Sequence, residues 1–330
     1  MNLKEEINYS IWCDFIEREF LEDGFQALIQ DKIIHGATSN PAIFEQSITS
    51  SDAYSQQMTM LQANEPKKIY EELAISDIKR AAALLKPLNE KNANDGFISL
   101  EVDPTLCDDA ESTVEEGIRL HKQIGYNNLM IKVPATQAGY EAMEILTSMG
   151  INVNATLIFS QEQSIKCADA LDKGITKSGK DTKAVISIFV SRFDRALHDI
   201  LKNKDLDPTK VGTMNAIKCY HEIEKFKNLN IRTLFASTGV KDDELSPSYY
   251  IDNLIYKNTI NTAPLNTINA WKEEGSKMPS TIITEDECDK YFEYLKKKNI
   301  DIDQVSKQLL KDGLNAFKDS FEELLKKVKI

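Results

Sequence analysis

The sequence predicts an α/β fold, a (β/α)8 TIM barrel with additional helices that include an α-helical C-terminal extension. The first observation is that short apolar runs alternate with helical stretches about eight times along the 330 residues. The second is that no linker, internal repeat or low-complexity segment divides the chain, so residues 1–330 are expected to form one domain. The competing fold is a doubly wound open sheet. That fold usually carries a glycine-rich phosphate loop, and neither GxGxxG nor GxxxxGK(S/T) occurs here.

Composition and charge exclude several classes of protein. A hydrophobic content of 42% allows a large core, and the net charge of -12 argues against nonspecific nucleic-acid binding and against an anionic membrane surface. An anionic substrate therefore needs a local basic pocket. The five cysteines are far apart and form no Cys-x-x-Cys pair, which favours neither a disulfide framework nor a metal site. Because no apolar signal core and no run of membrane-spanning length is present, we expect a cytoplasmic protein.

In the first half of the chain, four predicted strands end in polar or turn-forming residues. They are residues 10–14, 33–41, 97–104 and 128–136. Between the second and third strands, residues 42–95 carry no strand signal and are typical of two or three amphipathic helices. Residues 109–124 follow the third strand, and their apolar positions recur at the spacing of one helix face.

The second half repeats this alternation and then becomes entirely helical. Its predicted strands are residues 151–159, 184–190, 233–238 and, with the weakest pattern, 254–261. Helices are predicted at 139–149, 194–202 and 208–228, and another begins near the Ser-x-x-Gln capping pattern at 160–163. Three helical stretches, 285–298, 301–311 and 312–328, close the chain, and residues 285–330 are expected to pack on the barrel. The amphipathic face of 312–328 fits packing on the barrel, covering an active-site mouth or meeting a partner subunit, so a monomer and a homodimer both stay open.

One lysine in the fourth predicted strand points to covalent chemistry. Lys132 is surrounded by four apolar residues in the run LMIKVP, so a parallel sheet covered by helices would bury it. Burying an ammonium group is costly, and a neutral amine is a nucleophile that forms a Schiff base with a carbonyl. The simpler alternative is an edge-strand lysine that points to water.

Polar residues recur where the predicted strands end, which is where a barrel builds its active site. They are Asp14, Asn40, Glu101, Lys132, Asn154 with Thr156, Ser187 and Ser237, and the eighth strand contributes none. Each has a simpler explanation, such as a turn for Asn40, a helix cap for Asp14 or a small core residue for Ser187. A lysine with two carboxylates suits imine chemistry, which needs several proton transfers and no metal. The four histidines are scattered without the spacing of metal ligands.

Several of these stretches resemble the transaldolase family. GATSNPAIF at 36–44 and LMIKVPATQAG at 129–139 resemble its two signature stretches, the second of which surrounds the Schiff-base lysine. SLEVDP at 99–104, NATLIFS at 154–160 and IFVSR at 188–192 also match. The resemblance runs in order from about residue 10 to 265 and more loosely to the C-terminus.

This resemblance implies a role for each site residue. Lys132 would attack the ketose carbonyl, Glu101 with Thr156 would position the water exchanged during imine formation, and Asp14 would move the proton of the substrate hydroxyl. The substrate-binding residues would be Asn40, Asn154 and Ser187 for the dihydroxyacetone unit, Arg192 and Ser237 for the phosphate, and Phe189 beside them. Many family members carry an arginine where this chain has Gly239. We expect Lys241 to replace it, the alternative being a solvated loop charge.

The implied reaction moves a dihydroxyacetone unit from sedoheptulose 7-phosphate to glyceraldehyde 3-phosphate, which yields erythrose 4-phosphate and fructose 6-phosphate. It belongs to the non-oxidative pentose phosphate pathway and uses no cofactor. The nearest alternative is a fructose-6-phosphate aldolase, which releases dihydroxyacetone to water. Such relatives carry tyrosine in place of Phe189 and glutamine in place of Glu101. The alternative of another class is a catalytically silent barrel that serves as a binding protein.

Overall fold

The computed structural model describes residues 2–241 and 245–329, and eight parallel strands within them close into a barrel in the order β1 to β8. The predicted (β/α)8 fold is therefore confirmed. The strands are β1 (Ser10–Cys13), β2 (Gly36–Thr38), β3 (Phe97–Glu101), β4 (Leu129–Pro134), β5 (Asn152–Ile158), β6 (Ala184–Phe189), β7 (Ile231–Ala236) and β8 (Thr259–Ala263).

Helices cover the outside of the barrel, as a parallel sheet requires. Those of the first half are α1 (Leu3–Ile7), α2 (Arg18–Glu22), α3 (Gly24–Gln30), α4 (Pro41–Ser50), α5 (Ser55–Leu61), α6 (Pro66–Lys91), α7 (Ala110–Ile124) and α8 (Gln137–Ser148). Those of the second half are α9 (Gln161–Ser178), α10 (Ser191–Lys202), α11 (Val211–Glu224), α12 (Tyr249–Asp252), α13 (Leu265–Glu274), α14 (Glu285–Lys297) and α15 (Ile302–Lys327). The helices predicted in residues 42–95 correspond to α4, α5 and α6. Among the described residues, no helix combines the length and the apolar character needed to cross a membrane.

Two predicted strands lie at the wrong positions. The predicted eighth strand, 254–261, begins too early, since β8 starts at Thr259 and ends at Ala263. Leu254 and Ile255 gave the apolar signal of a strand, but they are buried in the core outside β8. Asn258, with a φ of 60°, separates them from the extended backbone of β8. The seventh strand likewise ends at Ala236 instead of 238, because the next residue, Ser237, has a φ of 55°.

The C-terminal prediction is wrong in one respect and incomplete in another. Residues 301–311 and 312–328 were predicted as separate helices, but α15 is continuous across them. Gly313 lies within this continuous helix, and its missing side chain lets the helix approach the barrel: a Cβ there would lie 3.0 Å from Leu157 Cδ2 and 3.2 Å from Arg192 Nη1. Helix α13 has no counterpart in the prediction, and Ile268 and Trp271 anchor it in the core.

Side chains that alternate along the strands fill the barrel interior. The fully buried Trp12 occupies its centre, and its ring lies 6.4 Å from that of Phe97. Gly36 is required on the neighbouring strand because a Cβ there would come within 2.6 Å of the Trp12 ring. This apolar layer forms the floor beneath the polar residues at the carboxyl ends of the strands.

The opposite end of the barrel is closed by a buried charged cluster. Arg232 donates to the backbone carbonyls of Asn8 at 2.7 Å and Thr259 at 2.8 Å, and its Nη1 lies 3.5 Å from Asp95 Oδ1. Asp95 also pairs with Lys4 of α1 at 2.5 Å. The N-terminal helix is thereby tied to the barrel at the end away from the predicted site.

Candidate active site

A cavity of about 120 Å³ opens at the carboxyl end of the barrel strands. Eight of the predicted site residues line it: Asp14, Asn40, Lys132, Thr156, Ser187, Phe189, Arg192 and Ser237. Thr38, Ala236, Thr262 and Phe317 complete the lining. Glu101 and Asn154 lie behind this surface, and Lys241 lies elsewhere, as described below.

Lys132 and Glu101 form a buried pair beneath the cavity. They face each other in the register of β3 and β4, and Lys132 Nζ lies 3.4 Å from Glu101 Oε2. Lys132 also donates to the carbonyl of Ser39 at 3.1 Å. Burial raises the pKa of Glu101 to about 7, although the nearby charge of Lys132 lowers it. Glu101 is therefore a carboxyl group that exchanges a proton near neutral pH.

Thr156 lies on β5, and the hydrogen-bonding capacity of its hydroxyl group is unsatisfied. Its side chain is fully buried, and Oγ1 has no hydrogen-bond partner among the described residues. A buried hydroxyl without a partner is costly, so a bound water or substrate oxygen would satisfy it. Thr156 is thus suited to hold a small oxygen ligand in the cavity.

Asp14 follows β1 and is held by two threonines that sequence reasoning missed. Thr38 Oγ1 donates to Asp14 Oδ1 at 2.6 Å, and its oxygen accepts from Thr262 Oγ1 at 2.7 Å. Burial raises the pKa of Asp14, while the charge of Lys132 and the bond from Thr38 oppose the rise. Because Oδ1 is occupied, Oδ2 is the oxygen available for proton transfer. Thr262 was missed because the predicted eighth strand was misplaced.

The cavity wall between β5 and β6 is a hydrogen-bonded series of side chains. Ser187 Oγ donates to Asn154 Oδ1 at 2.7 Å, and Asn154 Nδ2 donates to Ser99 Oγ at 3.0 Å. Asn154 is fully buried and fixes the orientation of Ser187, which lines the cavity. The direct contact of Asn154 with substrate stays a prediction.

Asn40 lines the cavity from the start of α4. Its Oδ1 accepts from the backbone N–H of Ile43 at 3.0 Å, so this oxygen caps α4 and does not form the turn offered as the simpler explanation. Its Nδ2 donates to no described residue. Capping and substrate binding therefore use different atoms of the same amide.

The mouth of the cavity carries the cationic residue that the sequence led us to expect. The Arg192 guanidinium stacks 5.1 Å from the Phe189 ring centre and 6.0 Å from that of Phe159. Burial, and then the charge of Arg195, lower the pKa of Arg192, yet an arginine keeps its charge in proteins. Ser237 lies beside it, and its Oγ is 3.0 Å from Ser191 Oγ. These residues present a positive charge and hydroxyl groups to an anion.

Lys241 does not line this cavity. It is exposed and lines a separate cleft of about 590 Å³, together with Arg195 and Tyr250. Its role as a replacement for the family's arginine stays a prediction.

Phe317 is a cavity residue that comes from outside the barrel. It lies on α15, is 7% exposed, and has its ring centre 5.6 Å from Lys132 Nζ. The amphipathic pattern of the C-terminus indicated that this face is buried, but the pattern does not specify which surface the face covers.

Comparison with known proteins decides the family. The model of the family described as Transaldolase/Fructose-6-phosphate aldolase matches residues 11–328. The chain belongs to this family. A transaldolase of Helicobacter pylori (strain P12) is 46% identical over 318 residues, which are 96% of this chain and 98% of that protein. A transaldolase of Campylobacter jejuni (strain RM1221) is 45% identical over 336 residues, covering 97% of this chain and 99% of the relative. The family predicted from the sequence is confirmed.

Proposed function

We propose that this family member is a transaldolase that transfers a dihydroxyacetone unit from sedoheptulose 7-phosphate to glyceraldehyde 3-phosphate through a Schiff base on Lys132. The observation that carries the proposal is the buried pair of Lys132 and Glu101, 3.4 Å apart at the base of a cavity. The Helicobacter and Campylobacter relatives, both named Transaldolase, support it because they match nearly the full length of both chains.

Schiff-base formation uses Lys132, Glu101 and Thr156. The lone pair of Lys132 Nζ attacks the ketose carbonyl carbon, after the ionised Glu101 has accepted the surplus proton of the ammonium group. Attack leaves a surplus proton on the nitrogen, which passes to the former carbonyl oxygen. Protonated Glu101 gives that oxygen its second proton, so it leaves as water and the iminium remains. Thr156 Oγ1, which lacks a partner among the described residues, holds this water. A lysine imine stores the electrons of the broken bond, so this chemistry needs no cofactor.

Cleavage of the carbon–carbon bond uses Asp14. Its free oxygen takes the proton of the substrate hydroxyl next to the breaking bond, while the bonding electrons move into the iminium to give an enamine. In the second half of the reaction the enamine carbon attacks the acceptor aldehyde, and Asp14 returns the proton to the aldehyde oxygen. Thr38 keeps the carboxyl oriented through its 2.6 Å hydrogen bond.

Substrate binding divides the cavity into a sugar end and a phosphate end. Asn40 and Ser187, with Asn154 behind, would bind the hydroxyl groups of the dihydroxyacetone unit. Arg192 and Ser237 would bind the phosphate, and Arg192 supplies the local positive charge that a chain of net charge -12 needs for an anionic substrate. Lys241 is a further candidate ligand for this phosphate.

The biochemical setting follows from the same proposal. These sugar phosphates belong to the non-oxidative pentose phosphate pathway. All five cysteines are buried and unpaired, which suits the reducing cytoplasm. A monomer and a homodimer remain the two proposed assemblies.

An acceptor-dependence assay tests this function. Fructose 6-phosphate is supplied with and without erythrose 4-phosphate, and both sedoheptulose 7-phosphate and free dihydroxyacetone are measured. We expect sedoheptulose 7-phosphate to form and little dihydroxyacetone to be released. Equal release of dihydroxyacetone with and without the acceptor would favour the aldolase, which Phe189 and Glu101 argue against. A folded protein that turns over neither substrate would favour the silent barrel.

A further inference from the structure

The C-terminal helix α15 is built into the carboxyl end of the barrel. It contacts α4, α6, α10 and β5. Near its start, Ser306 Oγ donates to the carbonyl of Phe159 at 3.1 Å, and one turn after Phe317 the ring of Phe321 packs 5.6 Å from that of Tyr70. Gly313 lies between these anchors and lets the helix approach Leu157 closely. The helix is thereby fixed on both sides of the point where it reaches the cavity.

At that point α15 contributes one side chain to the cavity lining, Phe317. Its ring lies 5.6 Å from the amine of Lys132. Phe189 lines the cavity from the barrel itself. Most of the other lining groups are polar, so these two rings supply its large apolar surfaces.

We propose that Phe317 is a specificity-determining residue that covers Lys132 and withholds water from the enamine, so that the bound unit passes to an aldehyde instead of being released. This inference rests on the proposed transaldolase function. Phe317 would act only after the donor has been cleaved, when the bound unit is either transferred or released. At that stage the enzyme holds a three-carbon enamine and the first aldehyde product has left.

Two reactions compete for this enamine. In transfer, the enamine carbon forms a bond to the aldehyde carbon, and the aldehyde oxygen takes the proton held by Asp14. In release, a water molecule donates a proton to the same carbon, which becomes an iminium, then water adds, the carbon–nitrogen bond breaks, and dihydroxyacetone and the free amine result. The proton used in the first step of release is returned when water adds. Transfer also ends with water adding to an iminium, so the reactions differ in which electrophile the enamine carbon attacks first, the aldehyde carbon or a proton of water.

Side-chain size at position 317 should therefore control the ratio of release to transfer. An apolar ring over Lys132 occupies space that water would otherwise take, and a cavity admits water once it offers room for one molecule and polar partners. The polar groups are present in the lining, including the unpartnered Thr156 hydroxyl. Phe317 fills the space within 5.6 Å of Lys132 Nζ, whereas the water that imine exchange needs is held at Thr156.

The test compares Phe317→Ala and Phe317→Leu with Phe321→Leu. Each protein is given fructose 6-phosphate, and the rate of dihydroxyacetone release without an acceptor is divided by the rate of transfer to erythrose 4-phosphate. We expect the ratio to rise about tenfold in Phe317→Ala, which corresponds to about 1.4 kcal/mol between the two barriers. Phe317→Leu keeps most of the side-chain volume and should stay within about twofold of the wild type. Phe321 is similarly buried one turn away but does not line the cavity, so Phe321→Leu controls for loosening of the helix.

The outcomes separate this inference from the proposed function. If Phe317→Ala does not fold, Phe317→Val takes its place, and the ratio should increase in the order Phe, Leu, Val. A ratio that does not follow side-chain size, or that rises equally in Phe321→Leu, would overturn the role of Phe317 while leaving the transaldolase activity intact. A wild type without transfer activity would instead overturn the proposed function.

Discussion

At the scale of single residues, the site depends on two buried carboxyl groups whose environments differ. Glu101 contacts Lys132 and has a pKa raised to about 7 by burial. Burial also raises the pKa of Asp14, but the hydrogen bond that Asp14 accepts from Thr38 opposes this rise. When two carboxyl groups have environments that shift their pKa values by different amounts, one can act as an acid while the other acts as a base in the same cavity. We assign Glu101 to the amine and water steps and Asp14 to the cleavage step.

The raised pKa of Glu101 predicts the pH dependence of activity. Only the ionised carboxylate accepts the proton of the Lys132 ammonium group, and this form is lost as the pH falls through about 7. We therefore expect kcat/KM to decrease by about tenfold for each pH unit below that value. The measurement is a pH profile of the wild type and of Glu101→Gln. The decrease should disappear in Glu101→Gln. Because the substrate phosphate titrates in the same way in both proteins, the comparison isolates the carboxyl group. A decrease that persists in the variant would exclude Glu101 as the titrating group.

Thr38 offers a second test, with a matched control. Thr38→Val keeps the shape of the side chain but removes the hydrogen bond to Asp14 Oδ1, and a bond to a charged group contributes about 1.5–3 kcal/mol. We expect kcat to fall on the order of 10- to 100-fold, and the pKa of Asp14 to rise further. Thr38→Ser keeps the hydroxyl and should retain most of the activity. Steady-state kinetics that are equal for the two variants would contradict the orienting role of Thr38.

At the scale of elements, helix α15 links the phosphate end of the cavity to the exterior of the barrel. Its Gly313 lies where a Cβ would be 3.2 Å from Arg192 Nη1. That distance is tighter than an ordinary contact, so an added methyl group has to displace the guanidinium. The same methyl group favours the helix, since alanine in a helix interior is about 1 kcal/mol better than glycine. The same Cβ would also lie 3.0 Å from the buried Leu157 Cδ2, which offsets that gain. Substrate binding should therefore weaken while stability changes little.

Gly313→Ala is expected to raise the KM for phosphorylated donors by about threefold or more without lowering the melting temperature. Arg192 is the proposed phosphate ligand, and a displaced guanidinium would form a weaker charge-assisted hydrogen bond with the phosphate. Asn315→Ala, at an exposed position of the same helix, is the control and should change neither quantity. An unchanged KM in Gly313→Ala would indicate that Arg192 relaxes freely or does not bind the phosphate.

Sequence reasoning reached the parts of the site that depend on local pattern. Asp14, Asn40, Lys132, Thr156 and Ser187 follow from strands whose apolar runs end in polar residues, and these strands are short and well separated. Thr262 was missed because the apolar run 254–256 belongs to the core without being part of β8. Phe317 was missed for a different reason. A helix periodicity defines a buried face, but a contact between residue 317 and the barrel is a property of the three-dimensional packing.

At the scale of the whole molecule, the two ends of the barrel have different tasks. The carboxyl end carries the cavity, whereas the other end carries the buried cluster of Arg232, Asp95 and Lys4. Trp12 and the surrounding apolar layer separate them. Changes in the cluster should therefore alter stability and leave the chemistry unaffected.

Asp95→Asn tests this separation. It keeps the size of the side chain but leaves the buried Arg232 without its counter-charge, and breaking a buried ion pair in this way costs roughly 3–5 kcal/mol. The free energy of unfolding, measured with denaturant, should fall by about that amount, while kcat at 25 °C stays near the wild-type value. Glu22→Gln breaks the exposed pair with Arg80 and should cost less than about 1 kcal/mol. Equal effects of the two variants would contradict the structural role of the cluster.

Borohydride trapping tests most directly whether Lys132 forms a Schiff base with the ketose. The wild type and Lys132→Ala are incubated with fructose 6-phosphate and sodium borohydride, and the peptides are then analysed by mass spectrometry. Reduction makes the imine permanent, so a three-carbon adduct should appear on Lys132 in the wild type and be absent from the folded variant. An adduct on another lysine, or none on a folded wild-type protein, would contradict the mechanism.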